Sequence, residues 1–308
     1  MPITFNATSG ITFNDGSTQN TRPAVGFRNR IINGDMRIDQ RNAGASQTFT
    51  AAAALAYSVD RFYGFCTGAN VTGARVAGTS PNEFAYQFTG AASVTAIGFG
   101  TRLEATNTTD LAGSTATLSV QLANSLLTTV TWTAFRADTT DAFGTLASPT
   151  RTQIATGTFT VTSSLATYSA QISVPSAATT GIEIVFTVGA QTSGTWTIDN
   201  VQLEQGSTAT DFERRPIGTE LGLCQRYYEI ASGSFRSAPT GSFVGAHVGF
   251  KQGKRSAPTM TYLANGGTQS SGTIDAFYGT NVHGAGAQFN AGADNFGYGF
   301  TASAYSEL

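Results

Sequence analysis

Charged residues are scarce in this sequence, and lysine is nearly absent from it. Asp, Glu, Lys and Arg make up 12% of the 308 residues, about half the share in an ordinary globular protein. Only Lys251 and Lys254 are lysines among the 17 basic residues. A net charge of −2 gives no electrostatic basis for binding phosphates, so nucleic acid is not an expected partner. So low a charge density is unusual for a free monomer and favours a protein that sits inside an assembly.

Long apolar runs and targeting signals are also missing. The run Ala51–Ala56 is far too short to span a membrane, so we expect no membrane insertion. The first ten residues have neither a basic start nor a continuous apolar stretch, which argues against a secretory signal peptide. No long segment has a helical period of about 3.6 residues, which excludes helical bundles and coiled coils. No fixed repeat is present, which argues against a long parallel β-helix.

Cysteines and histidines are too few for most catalytic or metal sites. Cys66 and Cys224 do not make a disulfide scaffold, and we expect both thiols to be buried. His247 and His283 stand alone in the sequence, outside any nucleophile motif or zinc-ligand spacing. The eight Glu and eleven Asp residues could supply paired carboxylates for glycan hydrolysis, but nothing in the sequence brings two of them together. We therefore predict that the protein is not an enzyme.

The residues that are abundant predict an all-β fold. Thr, Val, Ile and Phe favour strands, and the many Gly, Asn and Ser residues favour turns. Ala116–Leu122 and Thr158–Thr162 alternate apolar and polar residues, whereas Ile182–Val188 is more continuously apolar, as expected of a central strand. Two packed antiparallel sheets of the jelly-roll type fit this pattern best. Trp132 lies in an alternating stretch, and we expect it in the core.

The sequence divides into three regions. Residues 1–30 are polar and turn-rich, and so few residues cannot bury a core of their own, so contacts with other chains must order them if they are ordered. Residues 31–215 form the predicted sandwich, which ends at Pro216. Residues 216–308 form a second β unit rich in Gly and aromatic residues. This unit begins with a helix-like stretch that has Thr219 as a possible cap, or that leads straight into a strand.

Several stretches resemble a known family, the bacteriophage tail-fibre proteins. The stretches that carry the resemblance are Asn29–Arg41, Tyr57–Phe62, Trp196–Gly206, Ala209–Pro216 and Leu223–Tyr228. The segment Gly10–Gln19 is similar to the virion-attachment segment at the start of many such fibres. These motifs touch all three regions, although residues 230–300 contain little that matches.

The resemblance implies a structural, homotrimeric fibre on the outside of a virion. Its N-terminal segment is expected to bind other virion proteins of the baseplate or collar. Its middle domain resembles a carbohydrate-binding jelly roll, and its C-terminal tip is expected to bind a glycan on the host cell surface. Two alternatives stay open at this point: a tailspike that depolymerises polysaccharide, and a purely structural collar or decoration fibre that has no receptor.

Candidate receptor-binding residues lie in the C-terminal unit. Aromatic faces stack on sugar rings, while histidines and amides supply oriented hydrogen bonds. The candidates near Gly-rich turns are Tyr278, His283, His247, Tyr298 and Tyr262. Packing between copies of the chain is the alternative role for these side chains. The nearby Gly284–Gly286 lacks the remainder of a nucleotide-binding motif, and we interpret it as a turn.

Two further groups of charged residues have a predicted role. Jelly-roll sugar-binding modules often hold a structural calcium near their first and last strands, and the resemblance puts Asp35 and Asp199 in comparable places. Hydrogen bonding at a turn or strand end is the alternative for both carboxylates. We expect Asp60 with Arg61, and the group Glu213–Arg215, to form local ion pairs without a ligand role.

Overall fold

The computed structural model describes residues 27–236, 243–265, 273–290 and 297–308, together with three short strands near the N-terminus. These strands are β1 (Thr4–Asn6), β2 (Gly10–Thr12) and β3 (Thr18–Gln19), and they pair as an antiparallel sheet. None of the described helices is long and apolar enough to cross a membrane.

Two antiparallel sheets of six strands each make up the larger part of the described chain. In chain order, the strands are β4 (Gln47–Phe49), β5 (Ala56–Tyr57), β6 (Phe62–Thr67), β7 (Val71–Ala77), β8 (Phe84–Thr89), β9 (Ala96–Leu103), β10 (Thr115–Asn124), β11 (Thr129–Ala137), β12 (Arg151–Thr160), β13 (Ala166–Ser173), β14 (Ile182–Val188) and β15 (Thr195–Gln205). One sheet has the order β13-β10-β15-β8-β7-β4, and the other has the order β12-β11-β14-β9-β6-β5. Between β9 and β10, the chain forms α1 (Ala105–Thr108) and a single 3-10 turn (Thr109–Leu111).

The two sheets pack face to face as a sandwich around one apolar core. Alternate residues of each strand point inward, which is why the period-two pattern of the sequence predicts these strands. Trp132 is buried in this core, and Ile182–Val188 is the inner strand β14, so both predictions are confirmed. Phe99 lies at the centre of the core and stacks on Phe62 and Tyr86 with ring centroids 5.0 Å away in each case. The predicted all-β fold is confirmed.

A helix follows the sandwich, as the sequence predicts, but its start differs from the prediction. Helix α2 spans Ile217–Gln225, and Pro216 occupies the cap position in an extended conformation. Proline suits the start of a helix because the first backbone N–H groups have no partner within the helix. The prediction of Thr219 as the cap is therefore wrong, since that residue lies within the first turn. Cys224, on the inner side of the helix, is a buried free thiol, as is Cys66.

The rest of the chain forms two sheets of three strands. The strands are β16 (Tyr228–Arg236), β17 (Phe243–Gly249), β18 (Thr259–Asn265), β19 (Thr273–Tyr278), β20 (Gly284–Asn290) and β21 (Gly297–Tyr305). They pair in the orders β16-β21-β18 and β17-β20-β19. The buried cluster between these sheets is small, and most of its described members are alanines: Ala231, Ala246, Val248, Ala287, Phe300 and Ala302.

A layer of buried ion pairs joins the sandwich to this C-terminal unit. The guanidinium group of Arg61 contacts the carboxylate of Glu307, and Arg41 lies 2.9 Å from the same carboxylate. Arg102 reaches out of the sandwich and donates a hydrogen bond of 2.8 Å to the carbonyl of Leu308. Because these charges are buried, removing one partner leaves the other without compensation, which costs several kcal/mol.

The predicted local pair of Asp60 with Arg61 is wrong. Both residues lie in the turn between β5 and β6, where Arg61 has a φ of 71°, and this turn directs the two side chains to different partners. Asp60 lies 3.5 Å from Arg41 and accepts a hydrogen bond of 3.0 Å from the backbone of Gln40. Arg61 instead reaches Glu307, which lies 246 positions away in the sequence.

Arginine has structural roles here that lysine could not fill. The local pair of Glu213 with Arg215 is confirmed at 3.6 Å, and Arg215 also lies 3.2 Å from Glu220. Arg61 places its guanidinium group 3.4 Å from the centroid of the Tyr227 ring while it pairs with a carboxylate. A planar guanidinium group can stack on a ring and bind a carboxylate at the same time, whereas a compact ammonium group cannot. At Arg61, lysine could keep only one of these two contacts.

The two lysines have different environments. Lys254 is buried and donates a hydrogen bond of 2.6 Å from its Nζ atom to Glu229, and burial lowers the pKa of Lys254. Lys251 has an exposed side chain, and only its backbone N–H donates to Glu229, at 3.0 Å.

Candidate functional site

Two of the predicted receptor-binding residues lie in one row across the sheet β17-β20-β19. His247 on β17 pairs in register with Gly286 on the central strand β20, and Gly286 pairs with Tyr278 on β19. Residues paired in register point to the same face of a sheet. Ala246 and Ala287 point to the opposite face, where they are buried in the core, so the row of His247, Gly286 and Tyr278 faces outward.

Glycine residues allow the two rings to lie against the sheet. A Cβ atom at Gly286 would lie 2.5 Å from the ring carbons of Tyr278, and one at Gly245 would lie 2.8 Å from its hydroxyl oxygen. A Cβ atom at Gly284 would lie 2.9 Å from Nε2 of His247. Tyr278 is nevertheless 50% exposed, because one face of its ring covers the glycines while the other face is open.

The row of residues lines a groove with a volume of about 440 Å³. This volume falls within the range of small-ligand sites, about 300–1,000 Å³. Asn281 is also part of the lining, and its side-chain oxygen accepts hydrogen bonds from the backbone of His283 (2.8 Å) and Gly284 (3.2 Å). No Asp, Glu, Lys or Arg is among the described residues that line the groove.

The interpretation of Gly284–Gly286 as a turn is wrong, because these residues begin strand β20. The sequence Gly-Ala-Gly-Ala at residues 284–287 has the period of a strand, with Ala285 and Ala287 pointing to the core and the glycines pointing outward. This alternation is the feature of the sequence from which the glycine-lined groove could be predicted. Neither the glycines nor Asn281 is among the residues predicted from the sequence.

Two of the other three receptor candidates lie outside the described lining of the groove. His283 is exposed in the turn before β20, and its ring lies near Gly253. Tyr262 is exposed on β18, which belongs to the other sheet of the C-terminal unit. Tyr298 lies on β21, but its side chain lies outside the described residues. The structure therefore brings together His247 and Tyr278 and separates them from His283 and Tyr262.

The two predicted calcium ligands lie in a buried polar cluster of the sandwich. Asp199 accepts a hydrogen bond of 2.7 Å from the backbone of Asn200 and a second one from the side-chain amide of Asn82. Burial raises the pKa of Asp199 to about 7, although both hydrogen bonds favour the ionised form. The neighbouring charge of Asp35 raises it further.

The surroundings of Asp35 and Asp199 fit a calcium ion only in part. Asn200 has a buried side-chain oxygen without a hydrogen-bond partner in the described structure, and such an oxygen is a suitable ligand. However, Asp35 lies 2.6 Å from Nε of Arg37 and 3.8 Å from Arg214, and these guanidinium groups compete with a cation. The described residues contain no group of three or more acidic, His or Cys side chains suited to hold a metal. Calcium at this cluster stays a prediction.

No family model matches this sequence, and a search of curated proteins finds no significant match. Solved structures similar to the chain include TmCBM61 in complex with β-1,4-galactotriose, with 12% identity over 58% of this chain and 100% of that one, at a TM-score of 0.36. The family 11 carbohydrate-binding module of Clostridium thermocellum has 13% identity over 52% of this chain and 100% of that one, at a TM-score of 0.33. The enzymatically active domain of bacteriophage CBA120 tailspike protein 4 has 17% identity over 58% of this chain, at a TM-score of 0.34. This chain spans 21% of that tailspike.

Proposed function

We propose that this chain is a structural fibre protein of a bacteriophage virion, which attaches to a glycan on the host cell surface and has no enzymatic activity. The sequence motifs that resemble tail-fibre proteins support the virion role. The open ring face of Tyr278 in the groove of the C-terminal unit is the observation that carries the glycan-binding role. Aromatic rings with one free face are the usual platforms for sugar rings.

The proposal assigns a task to each region of the chain. Residues 1–30 bind the baseplate or collar of the virion, residues 31–215 form the sandwich, and residues 216–308 form the tip. Three copies assemble into a fibre, which shields sheet edges and presents three grooves together. Avidity then makes weak binding at each groove effective.

The surroundings of the carboxylates favour adhesion over hydrolysis. A glycosidase needs two carboxyl groups on either side of the scissile bond. No carboxylate lines the groove among the described residues, and two of the buried carboxylates, Glu183 and Glu307, are each paired with arginines. We therefore expect the glycan to be bound without being cut.

Binding to bacterial cells tests the proposed function. The full chain, labelled with a fluorophore, is added to a panel of bacterial strains before and after periodate oxidation, which destroys surface sugars. We expect binding to at least one strain and its loss after oxidation. Binding that survives oxidation would contradict glycan attachment.

Two further measurements separate the alternatives. Gel filtration of capsule polysaccharide and lipopolysaccharide from the bound strain should show unchanged chain lengths after incubation, whereas shortened chains would indicate a depolymerase. Antibody labelling of virions by electron microscopy should place the chain on a fibre. A chain that is present on virions, but whose antibody fails to block adsorption, would indicate a purely structural fibre.

A further inference from the structure

We propose that the groove between His247 and Tyr278 binds an uncharged pyranose sugar, and that it discriminates against acidic sugars. The inference rests on the proposed function, because it names the class of glycan that the same groove would take. It concerns only the described lining of the groove, which contains Tyr278, His247, Asn281 and the glycines between them.

The shape of the groove matches a pyranose ring. Tyr278 lies flat against Gly286 and Gly245, so its outward face forms a platform parallel to the sheet. The C–H groups on one side of a pyranose form an apolar patch that packs on such a platform. His247 and Tyr278 lie on the two strands that flank β20, so the width of this one central strand separates the His247 ring from the platform.

The polar groups of the groove suit hydroxyl groups. Tyr278 and His247 are both exposed, so a ligand can reach the hydroxyl of Tyr278 and the ring nitrogens of His247. The side-chain oxygen of Asn281 is used by the turn, and its amide nitrogen donates a hydrogen bond of 3.4 Å to the carbonyl of Gly279, which leaves one N–H of the amide for a ligand. Donors and acceptors fixed around an aromatic platform recognise sugar hydroxyls by direction rather than by charge.

The described lining of the groove lacks the cationic side chains that usually bind an acidic sugar. Carboxylates and phosphates on a ligand are bound by Arg or Lys, and neither occurs among the described residues that line the groove. Lys254 is buried against Glu229, and Arg255 donates to the backbone carbonyls of Ser306 and Glu307, so neither is available. Lys251 is exposed, but it lies beyond the end of β17 and is not part of the lining.

Titration of the full chain with two series of sugars tests this inference. Neutral oligosaccharides of glucose, galactose and mannose are compared with oligosaccharides of galacturonic acid and sialic acid by calorimetry. We expect a neutral series to bind at least about tenfold more tightly than either acidic series. Tighter binding of an acidic series, or no binding of any neutral series by a chain that binds cells, would overturn the inference and leave the proposed function standing.

Two variants of Tyr278 identify the platform. Tyr278→Ala should weaken binding of the neutral sugar about five- to tenfold, which corresponds to the loss of one stacking contact. Tyr278→Phe keeps the ring, so its affinity should stay within about threefold of the original. Leu263→Ala is the control, since Leu263 is an apolar side chain of the C-terminal unit with a similar exposure of 46% but lies on β18 of the other sheet.

A glycine variant tests the geometry without removing the ring. In Gly286→Ala, the new methyl group meets the Tyr278 ring at 2.5 Å and must push it off the sheet, so we expect a similar loss of affinity. Gly189→Ala is the control, because nothing lies within 4 Å of a Cβ atom there. Unchanged affinity in Gly286→Ala, or a change in the mass of the assembly in Tyr278→Ala, would assign the ring to packing and overturn the inference. The proposed function is tested separately: it fails if the unaltered chain does not bind to cells.

Discussion

Two tyrosines in different regions of the molecule have the same local geometry and different surroundings. Tyr63 in the sandwich lies over Gly100 of the neighbouring strand, as Tyr278 in the C-terminal unit lies over Gly286. Tyr63 is fully buried, and its hydroxyl donates a hydrogen bond of 2.6 Å to Glu183, while Tyr278 is half exposed. A tyrosine packed on a cross-strand glycine is therefore a building element of this chain, and its function depends on what covers the other face of the ring.

The cores of the two regions also differ, because the buried side chains are larger in the sandwich than in the C-terminal unit. The buried cluster of the sandwich contains large side chains such as Phe88, Phe99 and Trp196, whereas four of the six described residues in the cluster of the C-terminal unit are alanines. A core of small side chains buries little apolar surface and gives little stability by itself. The C-terminal unit therefore depends on its contacts with the sandwich, and with other copies in the proposed trimer.

The largest expected effect comes from the buried tyrosine. Tyr63→Ala should lower the free energy of unfolding by about 3–5 kcal/mol, because it leaves a cavity and removes a hydrogen bond from Glu183. Urea unfolding followed by fluorescence measures the change. Tyr63→Phe removes only the hydroxyl and should cost about 1–2 kcal/mol. A loss below about 1 kcal/mol for the alanine variant would show that Tyr63 contributes no more to stability than the exposed Tyr278 does.

The next effect concerns the ion pairs that connect the regions. Arg61→Met leaves the buried Glu307 with less compensation and should cost about 3 kcal/mol. We also expect two separate unfolding transitions by calorimetry, because the C-terminal unit loses one of its buried attachments to the sandwich. The double variant Arg61→Met with Glu307→Gln should recover part of the loss, since no bare charge is left. A single transition with unchanged midpoint would contradict a dependent C-terminal unit.

A smaller effect follows from the raised pKa of Asp199 in the sandwich. The folded state holds the proton of this carboxyl up to about pH 7, whereas the unfolded chain releases it near the ordinary value of 3.8. Folding therefore takes up a proton between these values, and stability falls as the pH rises through this window. We expect the free energy of unfolding to be about 2 kcal/mol lower at pH 8 than at pH 5.5, in a buffer with chelator. Asp199→Asn should remove most of that difference, and an equal slope in both proteins would contradict the assignment.

The same assay tests the calcium prediction. A bound calcium ion requires ionised Asp199, so added calcium should raise the melting temperature most at pH 8 and flatten the dependence on pH. Unchanged melting temperatures up to millimolar calcium would leave the cluster of Asp35 and Asp199 as a hydrogen-bonded strand-end motif.

The smallest expected effect is that of Tyr278→Ala on stability. Because half of this side chain is exposed and it packs on glycines, the free energy of unfolding should change by no more than about 0.5 kcal/mol. Tyr63→Ala in the sandwich is the contrasting variant. A loss above about 2 kcal/mol would mean that Tyr278 holds the C-terminal unit together.

The sequence predicts the sandwich well because its signals are local. Alternation over Ala116–Leu122 and the apolar run Ile182–Val188 reflect which face of each strand is buried, and both become strands β10 and β14. The helix is predicted for the same reason, although Pro216 rather than Thr219 begins it. These features depend on residues that are close together in the chain.

The features that the sequence does not predict depend on residues that are far apart. The partner of Arg61 is 246 positions away, and no local pattern identifies it. His247 and Tyr278 are both predicted as candidates, but only the pairing of β17 and β19 with β20 brings them into one row. Glycine is ambiguous in sequence, because turns and tightly packed sheets both use it, so the sequence of Gly284–Gly286 indicates a turn where the structure has a strand.

The contrast between the two lysines makes the chain simple to label. Amine-reactive reagents need an exposed, unpaired amine, and Lys254 is enclosed with Glu229. Among the described residues, Lys251 is then the single reactive side chain, at the end of the strand that carries His247. A dye attached there would report from the edge of the groove, without any engineered cysteine.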